Sequence, residues 1–162
     1  MSAPTGSGKT LVADYGIRLA LATQTRAIYT APIKALSNQK YRDWCGEYGE
    51  DHVGLLTGDI TINPDAPIMV MTTEVLRNMI YASSGRLDSL SAVILDEVHF
   101  LQDAYRGPVW EEVITHLRHE TRLVCLSATV SNADEVAEWI STRSEEHTSE
   151  LQSLAYLVCR LL

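Results

Sequence analysis

Basic residues are scarce in this chain: 13 Lys and Arg stand against 21 Asp and Glu in 162 residues, a formal net charge of −8. That balance argues against capture of a polyanion by the overall field, so any nucleic-acid contact has to come from a local patch or from backbone N–H groups. Cysteine is also sparse. Cys45, Cys125 and Cys159 are odd in number and lack metal-ligand spacing, which argues against a disulfide framework or a zinc site and predicts reduced thiols in a cytoplasmic protein. No stretch reaches the roughly 18 apolar residues of a membrane span, and no signal peptide is visible, so no membrane partner is expected. Internal repeats and long linkers are missing too, and the length suits one globular domain.

What is present is alternation. Ala27–Ala31, Val53–Leu56, Ile68–Met71, Ala92–Leu95 and Leu123–Leu126 are continuous apolar runs, the pattern of strands buried on both faces of a parallel sheet. Helical patterns lie among them at Lys9–Ala22, Lys34–Tyr48, Thr73–Ser83, Pro108–His116 and Ala133–Ile140. Strand and helix at this pitch predict an α/β fold, a doubly wound parallel sheet, whose ligands gather at the carboxyl ends of the strands.

Near the start, Ala3–Thr10 reads APTGSGKT, the spacing of a phosphate-binding loop. Gly6 and Gly8 let the N–H groups of Thr5 to Gly8, Ser7 included, curl around phosphate oxygens. Lys9 reaches the terminal phosphates, and the Thr10 hydroxyl can hold Mg²⁺. The helix predicted from Lys9 points its positive dipole end at the anion. Such a loop normally follows a buried strand, and only Met1 and Ser2 precede it here.

A second stretch, AVILDEVHF at Ala92–Phe100, ends an apolar run in two carboxylates. Taken alone, an acidic pair after a strand is often a solvated turn. Beside a phosphate loop it divides the labour of nucleotide hydrolysis: Asp96 holds the Mg²⁺ shell and Glu97 orients or deprotonates a water.

Asp96-Glu97-Val98-His99 resembles the signature box of DExH-type superfamily 2 helicases. TAPIKALSNQKYRDW (Thr30–Trp44), GLLTGDITINPDAPIMVMTTEVLRNMIY (Gly54–Tyr81), DEVHFLQDAYRGPVWEEVI (Asp96–Ile114) and LSATVSNADEVAEWI (Leu126–Ile140) resemble, in order, the superkiller/exosome-associated RNA helicase branch and its bacterial relatives. The resemblance implies a recombinase-like P-loop NTPase domain that uses ATP and Mg²⁺ at Thr5–Thr10 and Asp96, with Lys9 and Glu97 in catalysis. It implies that Pro32, Lys34, Gly58, Thr72 and Thr73 grip one strand of RNA, with DNA left open, along its sugar-phosphate backbone. It implies that His99, Ser127 and Thr129 couple hydrolysis to movement. Outside the motifs, Lys34 would read as a solvated helix charge, and Ser127 and Thr129 as ordinary capping or strand-end hydroxyls. Arg106-Gly107 resembles a further family element whose task one sequence does not reveal. Trp44, Trp110 and Trp139 read as packing residues and Glu111-Glu112 as a solvated face.

The same resemblance implies that the domain lacks its first strand, and that a second motor domain carrying arginine fingers is missing from this chain. If the family's sheet order holds, Ala92–Leu95 should then have a neighbour on one side only. Residues 1–142 are expected to be the ATP-binding domain. Residues 143–162 are expected to be a non-native tail, because Ser144–Ser153, SEEHTSELQS, resembles a translated sequencing adapter. The expected function is an ATP-dependent RNA helicase motor; an ATP-gated clamp that binds without unwinding, and a chain inactive by itself, remain the alternatives.

Overall fold

The computed structural model describes residues 9–127, 138–139 and 155–157; of residues 9, 10 and 155–157 it describes the main chain alone. Helix α1 (Lys9–Ala22) leads into strand β1 (Arg26–Ala31), which is followed by α2 (Lys34–Tyr48), β2 (Val53–Leu56) and a two-residue β3 (Thr61–Ile62). Then come β4 (Ile68–Thr72), α3 (Thr73–Tyr81), β5 (Leu90–Leu95), α4 (Gly107–His116), β6 (Arg122–Cys125) and β7 (Ala155–Leu157). Among the described residues the sheet runs β3-β2-β4-β1-β5-β6-β7, every pairing parallel except the hairpin of β2 with β3.

Alternation along each strand divides the core in two. Ala92 and Ile94 of β5 face α1 and α2, joining Ala13, Ile17, Tyr29, Trp44 and Val70. Val93 and Leu95 face α3 and α4, joining Ile28, Met71, Leu76, Trp110 and Ile114. Because both faces are covered, β1, β4 and β5 carry near-continuous apolar sequence, which is why their runs were legible. The chain after α2 turns at Gly49, whose φ of 89° is the left-handed geometry that favours glycine past a helix end.

Trp44 and Trp110 are buried as packing residues, at 1% and 0% exposure; Trp139, expected to pack with them, is 40% exposed. The helix expected over Ala133–Ile140 lies outside the described residues, save that Glu138 and Trp139 are helical. The hairpin strand β3 was not foreseen: two exposed residues carry no apolar run. The expectation that Ala92–Leu95 would have one neighbour is not met. Strand β5 pairs with β1 on one side and β6 on the other, since Leu123, Val124 and Cys125 are apolar enough to be buried inside the sheet. The outer side of β6 is occupied by β7, with Leu123, Val124 and Cys125 opposite Ala155, Tyr156 and Leu157.

The Arg106-Gly107 pair acquires a physical task. The Gly107 N–H donates to the Asp103 carbonyl at 2.8 Å, and a Cβ at Gly107 would come within 2.4 Å of the Leu101 carbonyl oxygen. The guanidinium of Arg106 lies 5.0 Å over the Phe100 ring, which stacks on Trp110. The Asp103 carboxylate accepts the N–H groups of Arg106 and Tyr105, and these donors hold it below the ordinary carboxylate range. This pair thus folds the turn after the acidic box onto α4. Gly107→Ala is expected to cost about 1–3 kcal/mol, because the clash is with backbone that must move. The midpoint of chemical denaturation should fall accordingly, and an unchanged midpoint would show that the turn yields freely.

Candidate functional site

Strand direction places the chemistry. All strands but β3 run parallel, so their carboxyl ends form one edge, and the residues there come from five consecutive places in the sheet. Strand β2 delivers Gly58, β4 delivers Thr72 and Thr73, and β1 delivers Pro32 and Lys34. On the other side of β1, β5 delivers Asp96 and Glu97, and β6 delivers Ser127. Helix α1 enters β1 through a three-residue turn, so over its rise of about 21 Å it runs back across the sheet. The main chain of its first residues, Lys9 and Thr10, therefore lies toward this same edge.

Asp96 is anchored from three directions. Its N–H donates to the Thr30 carbonyl at 2.9 Å, its Oδ1 accepts the Glu97 N–H at 2.9 Å, and its Oδ2 accepts the Tyr29 hydroxyl. Burial first, and then the negative charge of Asp96, pushes the Tyr29 phenol far above its ordinary range, so it stays protonated and remains a donor. Each carboxylate oxygen accepts one of these bonds and keeps room for another partner. One such half-exposed carboxylate suits Mg²⁺, which takes one or two carboxylates beside waters and nucleotide phosphates.

Glu97 has φ 56° and ψ 44°, left-handed geometry that costs a non-glycine residue on the order of 1–3 kcal/mol. The turn is held by the bond of its N–H to Asp96 and by the Val98 N–H on the Leu126 carbonyl at 2.9 Å. It swings the Glu97 side chain off the strand axis toward His99. The two approach to 3.0 Å between Oε2 and Nδ1, close enough for an ion pair although not aligned as a hydrogen bond. Leu126 also donates its N–H to the Leu95 carbonyl at 2.8 Å, so main-chain bonds tie the acidic box to the segment carrying Ser127. Ser127 itself is buried, at 3% exposure.

On the other half, Lys34 begins α2 and pairs with Asp59 at 2.7 Å. Asp59 also accepts the Thr57 hydroxyl at 3.0 Å. The Lys34 and Thr57 hydrogen bonds hold the Asp59 carboxyl below its ordinary range. Gly58 is exposed, with open space where a Cβ would stand. Thr72 and Thr73 are buried at the start of α3, and Pro32 is buried beside Lys34.

Thr5, Gly6, Ser7, Gly8 and Thr129 lie outside the described residues, and Lys9 and Thr10 are placed by main chain alone. The rest of the sequence-derived set falls on the one edge. Two contributors were missed. Tyr29 was hidden inside an apolar run, where period-two alternation was the available signal: it sets Tyr29 on the face of Ala27 and Ala31. Asp59 follows directly on Gly58 and could have been found as a nearby counter-charge for Lys34.

Comparison with known proteins identifies the family. The DEAD/DEAH box helicase family model matches residues 1–136. The probable helicase HelY of Mycobacterium tuberculosis H37Rv is 59% identical over 140 residues, covering 86% of this chain and 16% of HelY. The ATP-dependent RNA helicase mtr4 of Schizosaccharomyces pombe is 52% identical over 141 residues, covering 87% of this chain and 12% of mtr4. The chain thus spans a sixth or less of these relatives. Among solved structures, the Mycobacterium smegmatis helicase Lhr bound to ssDNA and AMP-PNP superimposes with a TM-score of 0.68 at 27% identity, covering 87% of this chain and 22% of Lhr.

Proposed function

The chain belongs to the DEAD/DEAH box helicase family, and on that premise we propose that it is the ATP-binding motor domain of a helicase that works along a single strand of RNA. The observation that carries this reading is the two-part carboxyl edge, with Asp96, Glu97 and Ser127 on one side of β1 and Gly58, Thr72 and Thr73 on the other. The likeness to mtr4, whose name specifies RNA, supports RNA over DNA. ATP is the nucleotide proposed, and Lhr bound to AMP-PNP supports it.

Thr5 to Thr10 would cradle the phosphates, with Lys9 compensating their charge, and Thr10 and Asp96 would hold the magnesium ion. When bound, that ion would offset the charge that develops on the phosphate oxygens. Glu97 accepts a proton from the attacking water; its carboxylate lies beside His99 while that of Asp96 is held by Tyr29 and the Glu97 N–H, so the two carboxyl groups serve different partners. Pro32, Lys34, Gly58, Thr72 and Thr73 would hold sugar-phosphate backbone, which fixes position without reading sequence. The Lys34–Asp59 pair has to open for Lys34 to reach a phosphate. As the relatives are far longer than this chain, the activity is proposed for the complete protein, in the cytoplasm and with a second motor domain. Residues 143–162 are proposed to add nothing to it.

Single-stranded RNA should stimulate ATP hydrolysis by the complete protein more than DNA does, and a tailed duplex should be separated. ATP-dependent binding without strand separation would replace the motor with a clamp. Ser127→Ala together with Thr129→Ala should spare most of the stimulated hydrolysis and impair unwinding, since the two hydroxyls are proposed to couple hydrolysis to movement and not to act on the water. A single hydrogen bond is worth only about 0.5–1.5 kcal/mol, which is why both are removed. Equal loss of the two activities would reduce them to structural hydroxyls.

A further inference from the structure

We propose that Tyr29 is a positioning residue for the nucleotide's magnesium ion, its hydroxyl fixing the Asp96 carboxylate in the orientation that meets the metal. The inference rests on the ATP-binding reading above and adds to it a residue outside the acidic box and the phosphate loop.

A phenol buried in mid-sheet needs an acceptor. Tyr29 is 3% exposed, and its hydroxyl donates to Asp96 Oδ2. The Glu97 N–H occupies Oδ1, so a donor from β1 and a donor from the turn after β5 together set the plane of the carboxylate. The Tyr29 ring cannot easily turn. Trp44 meets it edge-on at 5.1 Å and 76°, and the Lys40 ammonium lies 5.6 Å from its centroid and 5.3 Å from that of Trp44. The Asp96 main chain is fixed to the same strand through the Thr30 carbonyl. Backbone and side chain of Asp96 are thus registered to β1 independently. Without the hydroxyl, the backbone bond would still place Asp96, while the carboxylate would be held by the Glu97 N–H alone and could swing about that single bond. Magnesium demands near-octahedral geometry and is sensitive to that freedom. The packing of the domain is not, because phenylalanine fills the same space.

The test is Tyr29→Phe in the complete protein, read by equilibrium binding of a fluorescent, non-hydrolysable ATP analogue across a magnesium titration. The magnesium concentration for half-maximal binding should rise about 10- to 150-fold, the range for losing a hydrogen bond to a charged group. Melting temperature and analogue affinity at saturating magnesium should stay near wild type. In an Asp96→Asn background the same change should add little, because one residue acts through the other. An unchanged magnesium midpoint in Tyr29→Phe, or a full-sized extra loss in the Asp96→Asn background, overturns the inference while leaving the motor reading intact. Wild-type protein that binds the analogue with no dependence on magnesium removes both.

Discussion

Glu97→Gln in the complete protein should leave ATP and nucleic acid bound while hydrolysis slows by about 10²- to 10⁴-fold, the usual contribution of a positioned general base. Glutamine keeps the volume of Glu97 and can still sit in the left-handed turn, so the change removes proton acceptance and little else. Lys9→Ala should fail earlier, at nucleotide binding itself, because an ammonium neutralises phosphate charge in the ground state as well as in the transition state. Single-turnover hydrolysis combined with equilibrium nucleotide binding separates the two defects. Turnover close to wild type in Glu97→Gln would move the base to another residue, and His99, 3.0 Å from the Glu97 carboxylate, would be the first to examine.

Trp110→Ala should have the largest effect on stability. The side chain is fully buried and stacks on Phe100 at 5.9 Å, with Arg106 lying over that same ring. Truncating a buried aromatic of this size costs about 3–5 kcal/mol, against a total of about 5–15 kcal/mol for a typical domain. A large share of the stability margin should therefore be lost and the melting temperature should fall well below wild type. Trp110→Phe, which keeps a ring beneath Phe100, should recover a large part of the loss. Thermal melts of the two variants provide the comparison, and near-equal melting temperatures would mean that the stack adds nothing beyond filled volume. The stack lies directly after the acidic box, so partial loss of folding in Trp110→Ala should also weaken nucleotide binding.

The central part of this fold was legible because physics writes it redundantly. Ala27–Ala31 and Ala92–Leu95 are apolar at every position save Tyr29 and Thr30, since helices cover both faces of the sheet. A two-residue exposed strand such as β3 leaves no comparable trace. The site was legible in part for a different reason: Asp96 and Glu97 follow an apolar run and could be placed on the carboxyl edge from order alone, whereas Lys34 and Thr73 stood out only through the motif resemblance. Contacts across the sheet were not legible. Nothing in the string reveals that residue 29 touches residue 96, because parallel register depends on which strands become neighbours. The neighbours of β5 were misjudged for the same reason, since the pairing of β6 is a property of topology and not of its own four residues. The left-handed turn at Glu97 was equally hidden, for glutamate has no preference for it and the surrounding hydrogen bonds impose it.

Strand β1 is hydrogen-bonded along its length to β4 on one side and β5 on the other, a rod held from both flanks. The proposed nucleic-acid grip begins one residue past its end, and the carboxylate box is tied to it at Tyr29 and Thr30. A rod clamped on both sides neither stretches nor slides without breaking a whole ladder at once, so the distance between grip and box is a fixed gauge length. Any displacement along a nucleic-acid strand then has to be generated between this rigid body and another one, and a stepping motor assembled on it would have its stride set by how far that second body swings.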